Sequence, residues 1–589
     1  MRVFRPPLDL STVPPPDPRL YWDASVVNLF YWCNWMHDRL YELGFTRAAG
    51  NLEGPDNFLL AQAQFGADAT QMISDAARLQ YAPEGQHCRL FTSLWSGPNP
   101  DRDSAFDTEI ILHEYAHALT FRSIGGGAGP RDARSQYMGM CEGWSDFYAL
   151  ALLAESTDDL NGHYPFAAYS TYQWYGEDFE NYYFGLRAYP YARDMKHDPR
   201  TFRDIDRVKA VGHPGIPIHP IWEPFPPGEL AQQAHHKGGV WCSVLWDARA
   251  NLIDKLGFSW GNGRMLQLVT DGVMALSMSS PTFLQARDAI LDADAGVNGK
   301  ELWAAFYKRG LGGGAKDLST SEATASVLES FNRADFDLDG RPDLLLQNAA
   351  GLVKVWHMDG RTNQSESVIG QLGGSWRVVA TADINHDGRA DLFLQDNSSS
   401  VGYRLLDGTN IIGSGTVMPS LPDPTTWQVV GTGDFDQDSN PDLLWQDPRG
   451  GLAVWYMDGT KQRTTSRLDP IGTFDPNWRV VATGDFNQDG QIDILFQHSS
   501  TMLAVWYMNG IHRLQSVLLQ PAYSRGAWRA FAVEDYNGDG YPDILFQEKG
   551  TLDGGNLAIW FLKGLQEAGA RLLVPSPNPG VDFNLVGPR

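Results

Sequence analysis

The sequence predicts a multidomain protein: residues 1–321 form a mainly α-helical (α+β) region, and residues 322–589 form an all-β propeller, five-bladed. In the first region, apolar residues recur at helical spacing in long runs, such as 107–121. The second region repeats one acidic motif five times at intervals of about 50 residues, which is typical of propeller blades. A small, polar segment near residue 322 is predicted to be the linker between them.

The run at 107–121 contains the pentapeptide His113-Glu114-Tyr115-Ala116-His117. Histidines four residues apart project from one face of a helix, so both imidazoles can reach one tetrahedral zinc ion. Glu114 would point towards the water molecule that such a zinc holds, where it can accept a proton. Taken alone, the pentapeptide also fits an ordinary helix with two surface histidines.

A second apolar run places Glu142 and Asp146 four residues apart on one helical face. A catalytic zinc has three protein ligands and one open position, so Glu142 completes the set with His113 and His117. Zinc-ligating histidines usually donate their other ring proton to a carboxylate, and Asp146 is the expected acceptor. The alternative interpretation makes the two acids a solvated helix face. The combined pattern predicts one catalytic zinc ion.

Two adjacent histidines, His235 and His236, precede a helix predicted to begin near Gly238. Hydrolysis of an amide at zinc develops an oxyanion, which a positioned imidazolium can stabilise. We expect His235 to be this donor, with His236 as the other candidate. The alternative is that the pair caps the helix.

Several further segments, together with the pentapeptide, resemble the catalytic domain of fungalysins, which are extracellular, thermolysin-like zinc metallopeptidases of the gluzincin type. The segments that carry the resemblance are residues 23–32, 61–64, 142–146, 281–290 and 302–312. The resemblance implies that His113, His117 and Glu142 bind zinc, Glu114 is the general base and His235 is the transition-state donor. It also implies protein or peptide substrates and secretion.

The chain departs from the fungalysin pattern in two places. Where the family usually has Asp-Gly and an Asn-rich segment, this chain has residues 65–72 and extra residues before Pro83, so we expect an altered edge of the substrate cleft. The family also carries a secretion signal and a propeptide, and residues 1–7 resemble neither. We therefore expect a truncated or mis-started N-terminus.

The acidic repeats of the second region have oxygen-bearing side chains at positions 1, 3, 5 and 9, usually with a turn glycine at position 6. This is the alternate-residue pattern of a calcium loop, and it resembles the FG-GAP or VCBS repeats of integrin alpha chains and secreted bacterial proteins. Solvated acidic turns are the alternative. The pattern predicts up to five structural calcium ions. The predicted ligands are Asp335, Asp337, Asp339, Asp343, Asp383, Asn385, Asp387, Asp391, Asp434, Asp436, Asp438, Asp442, Asp485, Asn487, Asp489, Asp493, Asp535, Asn537, Asp539 and Asp543.

The ends of the second region predict ring closure. The first acidic loop lacks the strand that precedes each of the others, and residues 583–587 are a suitable substitute. Pairing of this terminal strand with the first blade would remove an open sheet edge.

Composition limits the function classes. A formal net charge of −25 argues against nucleic acid and anionic membranes as partners, and no apolar run reaches the roughly 18 residues of a membrane span. The four cysteines match no metal or redox spacing. Two hypotheses remain. The first is a secreted zinc metalloendopeptidase whose propeller binds substrate or a glycan, cell-surface or matrix ligand. The second is a calcium-dependent adhesion or glycan-binding protein with an impaired peptidase domain.

Overall fold

The computed structural model describes residues 16–68, 73–127, 132, 134–174, 176, 181–210, 212–223, 225–321, 325–373, 375–417, 427–469, 475–524, 528–548, 555–574 and 583–588. The predicted boundary near residue 322, the opening residues 1–7 and residues 69–72 of the altered segment lie outside these residues. The chain forms two compact units, residues 1–305 with 317–327, and residues 306–316 with 328–589. The exact domain boundary stays a prediction.

The first unit is mainly helical, as predicted. Its helices are α1 (Trp22–Glu42), α2 (Thr108–Ser123), α3 (Gln136–Leu153), α4 (Ala168–Thr171), α5 (Pro227–Leu230), α6 (Ala234–Leu256), α7 (Phe258–Ala275), α8 (Phe283–Asp294) and α9 (Gly299–Lys308), whose last turn lies in the second unit. None of the helices in the described part of the chain is both long and apolar enough to cross a membrane.

Short strands accompany these helices. They are β1 (Leu60–Gln62), β2 (Ala77–Gln80), β3 (Arg89–Thr92), β4 (Leu94–Trp95), β5 (Arg102–Asp103), β6 (His163–Tyr164), β7 (Tyr191–Ala192), β8 (Lys316–Asp317) and β9 (Val327–Leu328). Strand β3 is central in a three-stranded sheet, parallel to β1 and antiparallel to β2. Strand β8 lies within residues 312–326, the segment predicted to be the linker.

Helix α3 packs against both α2 and α6, and glycines set the close approach of α3 to α6. A Cβ atom added at Gly238 would lie 2.6 Å from the Cβ of Glu142 and 2.8 Å from the carbonyl oxygen of Gly139. One added at Gly143 would lie 2.5 Å from the carbonyl oxygen of Gly238. Heavy atoms cannot approach this closely, so only glycine allows this crossing, which brings the first turn of α6 beside Glu142.

The second unit is all-β, as predicted, and the strands in its described part form five four-stranded antiparallel arrays. Array 1 contains β10 (Leu344–Asn348), β11 (Leu352–Asp359), β12 (Thr362–Gln371) and β29 (Phe583–Gly587). Array 2 contains β13 (Arg377–Ala382), β14 (Asp391–Gln395), β15 (Val401–Asp407) and β16 (Asn410–Thr416). Array 3 contains β17 (Gln428–Gly433), β18 (Asp442–Gln446), β19 (Leu452–Asp458) and β20 (Lys461–Arg467).

The last two arrays share an eight-stranded sheet, joined through a single parallel pairing of Gln520 with Gln566. Array 4 contains β21 (Trp478–Gly484), β22 (Asp493–His498), β23 (Met502–Asn509) and β24 (His512–Tyr523). Array 5 contains β25 (Trp528–Glu534), β26 (Asp543–Glu548), β27 (Leu557–Lys563) and β28 (Gln566–Leu572).

Strand β29, the last of the chain, pairs antiparallel with β10, so residues 583–587 complete array 1 as the sequence predicts. Buried apolar side chains fill the space between arrays. Each apolar cluster contains residues of two neighbouring arrays: Val355 and Leu392 share one, as do Phe393 and Trp445, Val454 and Phe496, Leu495 and Phe546, and Ile559 and Leu346. The pairs connect array 1 to 2, 2 to 3, 3 to 4, 4 to 5 and 5 to 1.

Candidate metal centre and acidic loops

The structure brings the three predicted zinc ligands together, each more than nine-tenths buried. The Nε2 atom of His113 lies 3.2 Å from Oε2 of Glu142, and Nε2 of His117 lies 3.7 Å from the same oxygen. The two imidazole rings are perpendicular, with centroids 4.8 Å apart. Tetrahedral zinc with bonds of about 2.1 Å holds neighbouring ligand atoms about 3.3 Å apart. These donors therefore fit one zinc ion.

A buried hydrogen-bond network on the Nδ1 side of the His113 ring fixes the orientation of that ring. Its Nδ1 atom lies 2.7 Å from Oδ1 of Asp146, the acceptor that the sequence predicts. Arg187 donates to both oxygens of this carboxylate at 2.6 and 2.7 Å, and the hydroxyl of Tyr191 donates to Oδ2. On the other histidine, Nδ1 of His117 lies 3.3 Å from the hydroxyl oxygen of Ser145. Both imidazoles thus have a partner that holds the ring orientation.

Sequence reasoning missed Arg187 and Tyr191. They lie in an aromatic stretch without helical or strand periodicity, far along the chain from Asp146. The available signal was an arginine within an apolar segment, because a buried guanidinium requires an anionic partner. Arg187 is 3% exposed, and its guanidinium carbon lies 4.6 Å from the centre of the Phe166 ring.

Glu114 stands on α2 between the two histidines, and its Oε2 atom accepts a 2.6 Å hydrogen bond from the backbone N–H of Leu79 in β2. Burial raises the pKa of Glu114 to about 7, and the charge of Glu142 contributes in the same direction. A carboxyl with this pKa can both accept and release a proton near neutral pH.

Helix α6 begins at Ala234, earlier than predicted, so both candidate donors belong to its first turn. The Nε2 atom of His235 lies 3.3 Å from Oε2 of Glu142, and its side chain is half exposed. His236 is 7% exposed and lines a separate cavity of about 200 Å³ with Asp204 and His213. Of the two, His235 is the histidine beside the candidate metal ligands.

The ligands have strongly shifted pKa values before any metal binds. Burial would lower the pKa of His113, but hydrogen bonds to Asp146 and Glu142 raise it to about 9. Burial lowers the pKa of His117 to about 3. Burial opposes ionisation of Glu142, yet the neighbouring His235 and His117 hold its pKa well below the usual range. Zinc must therefore displace the Nε2 proton of His113, because only a deprotonated nitrogen binds metal.

The five acidic loops share one backbone arrangement. The carboxylate at position 1 accepts the N–H groups of positions 5 and 6, as Asp335 does from Asp339 and Gly340. The carboxylate at position 9 accepts the N–H of position 2 and one from the second strand after the loop, as Asp343 does from Phe336 and Met358. Positions 1 and 9 thus hold every loop in the same shape.

Positions 3 and 5 differ between the loops. Candidate metal-binding groups among the described residues include Asp335, Asp337 and Asp339 in the first loop and Asp434, Asp436 and Asp442 in the third. In the second, fourth and fifth loops the position-3 asparagine donates to the position-5 carboxylate. These pairs are Asn385 with Asp387, Asn487 with Asp489, and Asn537 with Asp539.

A guanidinium already contacts the third loop. Nη2 of Arg463 lies 2.6 Å from Oδ2 of Asp436 and 2.5 Å from Oδ2 of Asp438. A calcium ion bound there would compete with this side chain for the same oxygens.

Burial raises the pKa of acidic residues in the loops when no cation is bound. The pKa rises to about 8 for Asp383, Asp493 and Asp543, and to about 9 for Asp391 and Asp442. Neighbouring carboxylates add to the effect of burial. Burial therefore disfavours the ionised form of these carboxyls when no cation is bound.

The fold and the site define a metal-site protein of the HExxH type, in which two histidines of one helix and a glutamate of the next converge. The chain belongs to the fungalysin metallopeptidase (M36) family, whose model matches residues 3–315. The model of the FG-GAP-like repeat matches residues 335–394, 434–496 and 485–546. Both resemblances stated from the sequence are thereby confirmed.

Curated relatives are similar to the chain over about half of its length. The extracellular metalloproteinase mep of Aspergillus fumigatus is 34% identical over 353 residues, which cover 56% of this chain and 49% of the relative. The probable extracellular metalloproteinase 5 of Arthroderma benhamiae is 36% identical over 325 residues, covering 51% and 45%. The chain thus spans about half the length of the curated relatives it matches.

Proposed function

We propose that the protein is a zinc-dependent endopeptidase that hydrolyses peptide bonds of protein substrates. The observation that carries this proposal is the convergence of His113, His117 and Glu142 within 4.8 Å, with Glu114 beside them. Family membership and the extracellular metalloproteinases among the relatives support it.

Each side chain has a defined task in the proposed reaction. His113, His117 and Glu142 would hold zinc, which when bound polarises the scissile carbonyl and lowers the pKa of water. Glu114 accepts the proton of the attacking water and passes it to the leaving amine, a task that suits its pKa of about 7.

The remaining residues orient the metal ligands and stabilise the charge that develops in the reaction. Half-exposed His235 can donate to the oxyanion as it forms, since its Nε2 atom lies beside the ligand Glu142 and still reaches solvent. Asp146 holds the Nδ1 proton of His113 and thereby directs Nε2 towards the metal position. Arg187 keeps Asp146 ionised, because its guanidinium holds the pKa of that buried carboxyl below its usual value.

A casein assay of the wild-type chain beside Glu114→Gln tests the proposal. Removal of a general base lowers the rate by about 10²- to 10⁴-fold. Glu109→Gln is the matched control, because Glu109 is a partly buried carboxyl on the same helix that accepts the backbone N–H of Ala167. We expect the zinc content to be the same in all three proteins.

Equal catalysis by the wild type and Glu114→Gln, or none in either zinc-loaded protein, would contradict the proposal. The second outcome would favour the adhesion or glycan-binding hypothesis, in which the peptidase unit is impaired.

We also propose that the second unit is a five-bladed propeller with structural calcium in its acidic loops. Contacts between β13, β17, β21, β25 and β29 run in a closed cycle, and apolar clusters lie between each pair of successive arrays. Both observations support a ring of five blades closed by the terminal strand. The raised pKa values of the loop carboxyls support cation binding.

A calcium titration of the full-length chain tests the calcium proposal, so that no fragment has to be isolated. After removal of calcium by a calcium-selective chelator, titration with calcium should raise the thermal midpoint and saturate at several ions per chain. The contact of Arg463 with the third loop supports a number below five. An unchanged midpoint would contradict a structural role for calcium.

The location and partners of the whole protein are proposals of the same kind. Relatives named as extracellular support secretion, and the protein should then accumulate in the culture medium of its host. A glycan, cell-surface or matrix ligand is proposed for the propeller, and the domain boundary near residue 322 is retained. Detection only inside cells would contradict secretion.

A further inference from the structure

The first acidic loop differs from the other four by a histidine that faces its carboxylates. The Nδ1 atom of His357, in β11, lies 3.1 Å from Oδ2 of Asp343 and 3.4 Å from Oδ2 of Asp337. One donor atom from each of the three residues falls within 4.8 Å of the others. The loop therefore offers a nitrogen donor in addition to the oxygens expected of a calcium loop.

Strand register shows that this histidine is specific to array 1. Leu344 pairs with Trp356, which precedes His357, and the same pairing recurs in every array. The residues that correspond to His357 are Leu405, Tyr456, Tyr507 and Phe561. None of these four side chains offers a nitrogen atom as a metal ligand.

Hydrogen bonds hold the candidate metal ligands of the first loop in place. The carboxylate of Asp343 is held by the N–H groups of Phe336 and Met358, each at 2.9 Å. The other ring nitrogen of His357, Nε2, is hydrogen-bonded to the hydroxyl of Ser367. Nδ1 is itself hydrogen-bonded to Oδ2 of Asp343, a contact that a metal ion bound between them would replace. When Nε2 carries the proton and donates to Ser367, the ring lone pair lies on Nδ1, which is how a second partner selects the metal-binding nitrogen of histidine.

Exposure and spacing also fit a metal ion. Oδ1 of Asp337 is buried and has no hydrogen-bond partner among the described residues. The side chain as a whole is 32% exposed and leaves a route for an ion to enter. The separations of 3.1 and 3.4 Å match the roughly 3.3 Å between neighbouring ligands of a tetrahedral zinc ion.

We propose that the first loop binds a borderline divalent transition-metal ion such as zinc through His357, Asp337 and Asp343, in preference to calcium. Imidazole nitrogen is a good ligand for zinc, whereas calcium takes oxygen ligands almost exclusively. The protein would then bind one zinc ion in each unit. This inference does not depend on the peptidase proposal, because the two sites share no residue.

Zinc stoichiometry of the full chain tests the inference. The chelated protein is loaded with excess zinc in the presence of calcium, desalted, and its metal content measured by mass spectrometry. We expect about two zinc ions per chain for the wild type and about one for His357→Tyr. Tyrosine occupies this position in arrays 3 and 4, so the variant uses a side chain that the fold already accepts.

Two further variants distinguish loss of zinc from this site from a non-specific loss of zinc. Asp337→Asn should also lose one zinc ion, without a change of side-chain size. His512→Tyr is the matched control: it removes a histidine 3.3 Å from Asp469, but its side chain is 65% exposed, and it should retain two ions. A wild type with one zinc ion, or His357→Tyr and Asp337→Asn variants that keep two, would overturn the inference.

Discussion

The carboxylate of Asp146 contributes both to zinc binding and to folding stability at the candidate metal centre. The substitution Asp146→Asn, combined with a second change at Arg187, measures the two contributions separately. It accepts the Nδ1 proton of His113 at 2.7 Å and pairs with buried Arg187 at 2.6 Å. Loss of a carboxylate behind a metal ligand typically costs 10- to 100-fold in metal affinity, or about 1.4–2.8 kcal/mol. An unpaired buried guanidinium costs about 3–5 kcal/mol of folding free energy.

The two costs respond differently to a second change. In Asp146→Asn/Arg187→Met the unpaired charge is gone, so most of the folding free energy should return while zinc affinity stays low. Urea unfolding of the zinc-free chains measures the first quantity, and competition with a zinc indicator measures the second. Zinc affinity within about threefold of wild type in Asp146→Asn would refute the orienting role of this residue.

Three further predictions follow from packing and charge. Gly238→Ala should cost about 1–3 kcal/mol of unfolding free energy and weaken zinc binding, because its Cβ would press on Glu142. Gly263→Ala is the control: outside its own helix backbone, its Cβ would meet no described atom within 4 Å, so it should be neutral or stabilising in urea unfolding. The chelated protein should melt at a lower temperature at pH 8 than at pH 5. In the folded chain the pKa of Asp391 and Asp442 is about 9, against about 4 in the unfolded chain. Their contribution to stability is therefore fully present below pH 4 and is lost as pH rises towards 9. Added calcium should reverse this trend, and a thermal midpoint that does not change with pH would refute the prediction. Arg463→Met should add one calcium ion to the stoichiometry measured by calorimetry, since it frees Asp436 and Asp438; an unchanged number would show that the arginine does not compete.

Local spacing accounts for the parts of the site that the sequence predicts. His113 and His117 lie one helical turn apart, as do Glu142 and Asp146, so helix geometry alone places each pair on one face. The side chains that complete the site could not be found this way. Arg187 and Tyr191 reach Asp146 from a segment without periodicity, and Arg463 reaches the third loop from the fourth strand of its array.

The amino-acid sequence by itself determined the helical and repeating regions, the HExxH pattern and the fivefold acidic motif, because each depends on residues close together in the chain. The terminal strand was also foreseeable, since a missing first strand must be supplied from elsewhere. Only the tertiary structure decided which donors meet: the glycine-lined crossing of α3 and α6 brings Glu142 to His235, and strand register brings His357 to Asp337. Contacts between distant segments depend on packing, and no local pattern of residues encodes them.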